Sequence, residues 1–426
     1  MKLGISTALE RHRLANGLQV VLHPDPTLPL ATVNLWYHVG SKNERPGRTG
    51  FAHLFEHMLF SGSEHVGNTQ HFFYLQQVGG VANGSTWYDR TNYYETVPSS
   101  RLDLALWLES DRMGYFLPAL TAEKLETQRS VVMNERRQRV DNQPYGRPYE
   151  HLFELLLPAE HPYHWPVIGW MDDIAAATLE EVREFFRAWY GPNNAVVTVA
   201  GDFVPADALA RVERWFGEIP SGPEPRPRKA PLAPLDHGIV ESVRDRVQLP
   251  RVYLAFRMPP FGDRGWFAGS LATSALSDGR SSPLFHDLVY RRQIAQDVSC
   301  YVYPTEEVGF LIAVATAKPG VAAADLANAL WEHLERLAES GPTAADFERA
   351  HNSVLSSSYS HLQALDQRAD LISQCTTFFD SPERAFEIPD EYGSVTPGEI
   401  RDFAARHLGR DRGVELTVLP EPEAAA

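Results

Sequence analysis

"TLEEVREFFRAWYG" (178–191) comes back as "TPGEIRDFAARHLG" (396–409), and that return decides how the chain is built. Each segment opens on Thr-x-x-Glu, a capping box in which a Thr hydroxyl and a Glu carboxylate satisfy free N–H groups of a helix's first turn. Each keeps an Arg five residues on, Arg183 and Arg401, and each ends at a glycine, Gly191 and Gly409, a common helix stop. A β-forming run follows both, "AVVTVAGDF" and "GVELTVLP". The offset is 218 (396 − 178). A second echo, "TAEKLE" from Thr121 and "TAADFE" from Thr343, lies at 222 (343 − 121). One register with small insertions covers both, so the chain reads as an internal duplication of about two hundred residues.

Between the copies runs "EIPSGPEPRPRKAPLAPLDHG" (218–238), where Pro220, Pro223, Pro225, Pro227, Pro231 and Pro234 preclude a regular helix or central strand. Within each half, strands such as "LQVVLH" and "ATVNLWYHVG" alternate with long amphipathic helices such as "LDLALWLESDRMGYFL". The expectation is an α+β chain of two homologous α/β sandwich domains, 1–217 and 239–426, joined by a Pro-rich linker at 218–238. Each domain is a mainly antiparallel sheet covered by helices.

Composition excludes more than it selects. With 39 basic against 55 acidic residues the net charge is −16, and no Lys/Arg stripe could hold a phosphate backbone, so nucleic acid is not an expected partner. Cys300 and Cys375 stand far apart with no C-x-x-C pattern, which points to free thiols. No apolar run approaches the ~18 residues of a membrane helix, and "MKLGISTALERHRLANG" has no apolar core of a secretory signal. The cytoplasm is the expected compartment, the periplasm the alternative if a leader was removed.

The chemistry concentrates in "GFAHLFEHMLF" (50–60). On a helix, His57 lies about 40° from His53 and Glu56 about 60° to the other side, so three polar residues share one narrow arc of an apolar helix. A lone histidine there would read as a core residue bonded to backbone or water. Two imidazoles one turn apart with an adjacent carboxylate fit zinc better, the free carboxylate acting on a bound water, in the H-x-x-E-H order of the inverzincins. A third ligand is expected from "TAEKLETQRSVVMNERRQ" (121–138), where Gln128, Val131, Val132 and Glu135 fall on one stripe and put the Glu135 carboxylate on the face that buries valines. Read from the wheel alone, the lesser alternative for Glu135 is a solvated charge beside Arg136 and Arg137. A rival pair, His161 and His164 in "EHPYHWP", has prolines against a helix and no carboxylate placed as a base; His65 and His71 read as surface residues.

Taken together, "HLFEHMLFSGS", "NGSTWYDRTNYYETVP", "VVMNERRQ", "HPYHWPVIG" and "YGPNNAVVTVAGDF" resemble the pitrilysin/insulinase family of zinc peptidases, in its short-chain branch related to mitochondrial processing peptidase. The resemblance spans most of the first half; the second half is more weakly similar to the family's non-catalytic repeat. It implies one Zn2+ per chain held by His53, His57 and Glu135, with Glu56 as general base of a zinc metalloendopeptidase. It also implies that "ANGSTW" is an edge strand holding substrate through Asn83, Gly84, Ser85 and Thr86. The physics agrees, since an edge strand offers unpaired N–H and C=O groups to an extended peptide; the plainer alternative is a hairpin with its turn at the glycine.

The repeat is an internal control. An offset of 217 puts His53, Glu56 and His57 on Ser270, Thr273 and Ser274, and 222 puts Glu135 on Ser357, so the second half carries no site. Two departures from the family stand out. Gln128 occupies the position of an auxiliary Glu, and Val289 and Gln296 in "LVYRRQIAQDVS" fall where active relatives carry an Arg and a Tyr that hold substrate. Either Arg291, Arg292 or Tyr301 compensates, or the pair comes from a partner, expected as a heterodimer with a homologous subunit that lacks the zinc motif and completes a closed chamber for short or unfolded peptides. Two other classes stay open on the residues alone: a zinc-containing non-catalytic binding or scaffold subunit, and a zinc hydrolase of a non-peptide substrate.

Overall fold

Both capping boxes form. Thr178 and Glu181 exchange hydrogen bonds at the start of the helix Leu179–Trp189, the Glu181 N–H donating to the hydroxyl at 3.3 Å and the Thr178 N–H to the carboxylate at 3.0 Å. Thr396 and Glu399 do the same before Pro397–His407, at 3.3 and 2.8 Å. Each box is also tied to an arginine just before or at the start of another helix. Arg48 pairs with Glu181, and Arg264 reaches Glu399 at 2.7 Å. A tie of three groups repeated at nearly constant offset is hard to obtain except by duplication.

The structure, a computed structural model, describes residues 6–226, 230 and 232–422. Pro227 and Pro231 of the linker lie outside the described residues. Of the described residues between Phe216 and Ile239, none is in a helix or strand.

The first sheet contains β1 (Glu10–Arg13), β2 (Gln19–Pro24), β3 (Leu30–Tyr37), β4 (Val81–Thr86), β5 (Thr91–Pro98) and β6 (Ala195–Gly201), in the order β1-β2-β6-β3-β5-β4. The second contains β7 (Ile239–Asp245), β8 (Arg251–Met258), β9 (Ala295–Tyr303), β10 (Gly309–Ala317) and β11 (Gly413–Pro420), in the order β7-β11-β8-β10-β9. Apart from the extra edge strand β1, the two orders superpose position by position. Each has one parallel pair, β2 with β6 and β7 with β11, and is otherwise antiparallel.

The compact units are not the contiguous halves. One comprises 1–136, 165–230 and 359–387; the other 137–164, 231–358 and 388–426. The helix Leu365–Phe379, late in the chain, covers the first sheet, its Ser373 hydroxyl donating to Thr198 on β6 at 2.8 Å. The helix Pro148–Leu156, from the first half, covers the second sheet, with Phe153 4.5 Å from Phe310 and Tyr149 5.6 Å from Tyr253 between ring centroids. Each copy therefore lends one helix to the other's sheet. Apolar helix faces bury equally well on either sheet, so periodicity does not say which one a helix covers.

Candidate functional site

The helix Phe51–Leu59 carries the central residues. Its start is set by Gly50 at φ 83°, where an added Cβ would come within 2.7 Å of the Ile168 carbonyl oxygen. The buried Glu44 carboxylate caps it from a distance, accepting from the Gly50 and Ala52 N–H groups at 2.8 Å each. Phe51, Leu54, Phe55, Met58 and Leu59 are buried, which leaves His53, Glu56 and His57 as the partly exposed strip.

The helix Ala122–Arg136 brings the third residue. Leu125 and Val132 bury in the core, Arg129 donates to the Ala175 carbonyl at 2.7 Å and Arg136 to the Gly169 carbonyl at 3.0 Å. These anchors set the helix rotation and turn Glu135 toward the histidines. The stripe departs from the wheel at one position: Val131 is 43% exposed rather than buried. The stripe that packs runs through Leu125 and Val132, one residue round the helix.

Glu135 Oε2 lies 3.7 Å from His53 Nε2 and 3.1 Å from His57 Nε2. The three ligand atoms are within 4.8 Å of one another, and the imidazoles stand nearly perpendicular, centroids 4.8 Å apart at 80°. A tetrahedral zinc with ligands at 2.0–2.2 Å needs donor atoms about 3.3 Å apart, which the two measured separations bracket. Two neutral imidazoles and one carboxylate are also the donor set zinc favours, and three protein ligands leave a position open. The residues fit the metal.

Glu56 sits beside this set rather than in it. One carboxylate oxygen accepts the Thr86 hydroxyl at 2.6 Å. Burial pushes its carboxyl above the usual carboxylate range, against the opposing pull of Thr86 and His57. Thr86 ends β4, which pairs with β5 alone and is the outer strand of its sheet. Asn83 is exposed, and its side-chain oxygen accepts from the Gly84 N–H at 2.9 Å. Gly84 is buried where a Cβ would crowd the Phe60 ring at 3.0 Å and the Tyr93 ring at 3.1 Å, so glycine eases the strand's close approach to the end of the site helix. Ser85 points to the opposite face and donates to Asn92 at 2.7 Å. The turn of this hairpin is at Trp87–Arg90, where the Trp87 N–H donates to the Arg90 carbonyl, not at Gly84.

One surface assignment needs correction. His71 is buried, 3% exposed, with Nε2 3.1 Å from Glu95. With Glu95 and Glu109 it forms a second grouping of metal-competent side chains. Arg112, however, lies 3.0 and 2.8 Å from the two ring nitrogens, where an ion would have to sit. Burial and the neighbouring Glu109 push Glu95 well above the usual range, and burial and Arg112 push His71 well below it, so the cluster balances its charge internally. Of the rival pair, His161 is buried, accepts from the Tyr163 N–H and is pushed down to about 4, chiefly by burial. His164 hydrogen-bonds the Leu157 carbonyl.

In the second unit Ser270, Thr273 and Ser274 lie on the helix Arg264–Ser277, and Ser274 donates to Asp278. Arg291 pairs with Asp287, Arg292 with Asp287 and Glu332, and Tyr301 donates to Tyr149. Val289 lies in the stretch Phe285–Arg291, and Gln296 is exposed on β9.

Sequence comparison matches residues 19–159 to Insulinase (Peptidase family M16) and residues 176–354 to the Peptidase M16 inactive domain. The zinc protease PqqE of Helicobacter pylori is 30% identical over 371 residues, 86% of this chain and 80% of that one. A crystal structure of a protease from Helicobacter pylori superposes with a TM-score of 0.90 at 26% identity, over 97% of this chain and 100% of that one. The periplasmic protease PqqL of Escherichia coli shares the fold, with a TM-score of 0.76 at 19% identity; the match covers 98% of this chain but 48% of that longer one. No described helix is long and apolar enough to cross a membrane.

Proposed function

Because the chain belongs to the M16 peptidase family, whose similar members are named zinc proteases, we propose that it is a zinc-dependent endopeptidase acting on short or unfolded peptides. The observation that carries this reading is a carboxylate, Glu56, held beside a three-donor set without being part of it.

His53, His57 and Glu135 would hold one zinc. The bound metal would acidify a water and stabilise negative charge developing on the substrate carbonyl oxygen. Glu56 takes the proton from the attacking water and returns it to the leaving amine. Its buried position raises its proton affinity toward that task, and the Thr86 hydroxyl holds one carboxylate oxygen, leaving the other to take the proton. The outer edge of β4 takes the peptide main chain as an added strand, through Asn83, Gly84, Ser85 and Thr86. Backbone pairing selects extended peptides and is indifferent to most side chains.

A partner subunit belongs to the same reading. Val289 and Gln296 stand where the family's substrate-holding Arg and Tyr are expected, and Arg291, Arg292 and Tyr301 are committed within their own unit. A homologous chain without the zinc motif would supply the pair, consistent with this chain matching about half of the longer PqqL chain.

The test is cleavage of an unstructured peptide by the zinc-loaded chain, alone and with whatever co-purifies from the native source. Zinc-dependent cleavage stimulated by the companion is expected. Stoichiometric zinc without cleavage in either state would favour a scaffold role.

A further inference from the structure

Gly84 packs on the rings of Phe60 and Tyr93, and those rings also carry a buried charge that the hydrolytic reading does not use. Arg112, on the helix Leu102–Ala119, is 2% exposed, and its guanidinium carbon stands 4.5 Å from the Phe60 centroid and 4.2 Å from the Tyr93 centroid. Its Nη2 lies 2.8 Å from His71 Nε2 and 3.4 Å from a Glu109 oxygen. Its Nε and Nη1 have no hydrogen-bond partner among the described residues. Buried N–H groups without acceptors are costly, and what the structure sets against that cost is two ring faces.

The two rings stand where the site helix meets the edge strand. Phe60 closes the helix Phe51–Leu59, its N–H donating to the His57 carbonyl at 3.2 Å. Tyr93 is the β5 residue paired with Gly84, and its hydroxyl donates to the Phe55 carbonyl of that helix at 3.3 Å. The rings meet edge to face, 5.5 Å between centroids. Since β4 has β5 as its one sheet neighbour, the gap between β4 and the site helix is set by what stands between them. At Gly84 the strand contributes no side chain, so the two rings are the spacer. Residues two apart on a strand share a face, and the position that Gly84 takes is passed on to Thr86, whose hydroxyl holds Glu56 at 2.6 Å.

We propose that Arg112 is a positioning residue: by holding the faces of Phe60 and Tyr93 it sets the distance of β4 from the site helix, and through Thr86 the aim of Glu56. The proposal rests on Glu56 as general base and β4 as the peptide-binding strand. The rest of the cluster serves the same end. Glu109, three residues earlier on the same helix, and His71, itself 3.1 Å from Glu95 on β5, hold the guanidinium against the rings. A planar guanidinium covers two ring faces at once, which a lysine ammonium, a point charge on a flexible stem, does not.

The test is turnover per bound zinc, with KM, for Arg112→Lys in the zinc-loaded chain, together with any companion its activity requires, with and without Thr86→Val. Arg112→Lys keeps the charge balance of the cluster and should bind one zinc. It should lower kcat about ten- to a hundredfold and move KM by less than about threefold, because the peptide rides on the displaced strand. Thr86→Val, which costs turnover in the parent, should cost nothing further in the Arg112→Lys chain, where the bond it removes is already lost. Unchanged turnover, or losses that multiply, overturns the proposal and leaves Arg112 a residue of the core. Loss of zinc overturns it too, since the rings would then serve the metal set. Gly84→Ala widens the same gap from the strand side with Arg112 in place, and decides the matter if Arg112→Lys does not fold. It should reproduce the pattern, and full turnover in that variant overturns the proposal. One arm needs no activity: a crystal structure of whichever variant folds should show the Thr86 hydroxyl withdrawn from Glu56, and an unchanged 2.6 Å separation overturns the positioning role. A parent that cleaves nothing while that separation opens in the variant refutes the hydrolysis and keeps the hold of Arg112 on the strand.

Discussion

The two units share five strand positions, one parallel pair, a capping box and an arginine tied to it, yet one gathers His53, Glu56, His57 and Glu135 where the other has Ser270, Thr273, Ser274 and Ser357. They differ again on the face covered by the exchanged helix. Asn34, Asn92, Asp366 and Asp370 leave a polar cavity in the first, whereas Tyr149, Tyr253, Tyr301 and Tyr303 pack ring against ring in the second. The fold is a scaffold that both units retain. The chemistry depends on a few positions that can be lost or replaced by apolar bulk while the architecture persists.

The strongest way to break the comparison is to remove a donor. His57→Ala should take zinc from about one per chain to near zero, read by elemental analysis, with cleavage at background. Ser274→Ala, its counterpart, should change neither by more than about twofold. Equal effects of the two changes would erase the distinction between the units.

Glu56→Gln should keep the zinc and lower turnover by a factor of about 10² to 10⁴, the usual contribution of a general base. Retained zinc with unchanged turnover would remove Glu56 from the mechanism. Thr86→Val should cost less, about three- to tenfold in turnover with zinc still bound, because it frees a carboxylate that the reaction needs oriented. A change in zinc content instead would mean that β4 acts on the metal set.

The smallest effect sharpens what the units share. Burial opposes it, but Thr178 and Arg48 hold Glu181 down at about 2; Arg264 and Thr396 hold Glu399 there too. A carboxyl whose folded pKa lies below its ordinary 4.5 contributes stability that is full above about 4.5 and is lost as pH falls through about 2. Both pairs are partly exposed, so Arg48→Ala and Arg264→Ala should each cost about 0.5 kcal/mol at pH 7 and almost nothing near pH 2, in urea unfolding. Unequal losses would mean that the two ties no longer do the same work.

What the sequence revealed was local. Capping boxes, the i, i+4 histidines and a carboxylate on an apolar stripe all lie within one or two turns, so spacing alone exposes them. What it hid was long range. His71 reads as exposed because the groups that bury it, Glu95 and Arg112, are 24 and 41 positions away. Asp370 meets Asn34 across 336 positions, and only through a helix that covers the other copy's sheet. Val131 and Val132 differ by about 100° on one helix, and tertiary anchors at Arg129 and Arg136 decide which of them is buried.

Anomalous diffraction at the zinc edge from crystals of the zinc-loaded chain tests the central claim most directly. The account predicts one peak, about 2.0–2.2 Å from His53 Nε2, His57 Nε2 and a Glu135 oxygen, with the Glu56 carboxylate outside bonding distance. A strong peak at His71, Glu95 and Glu109 instead, or no peak between the paired histidines, would contradict it.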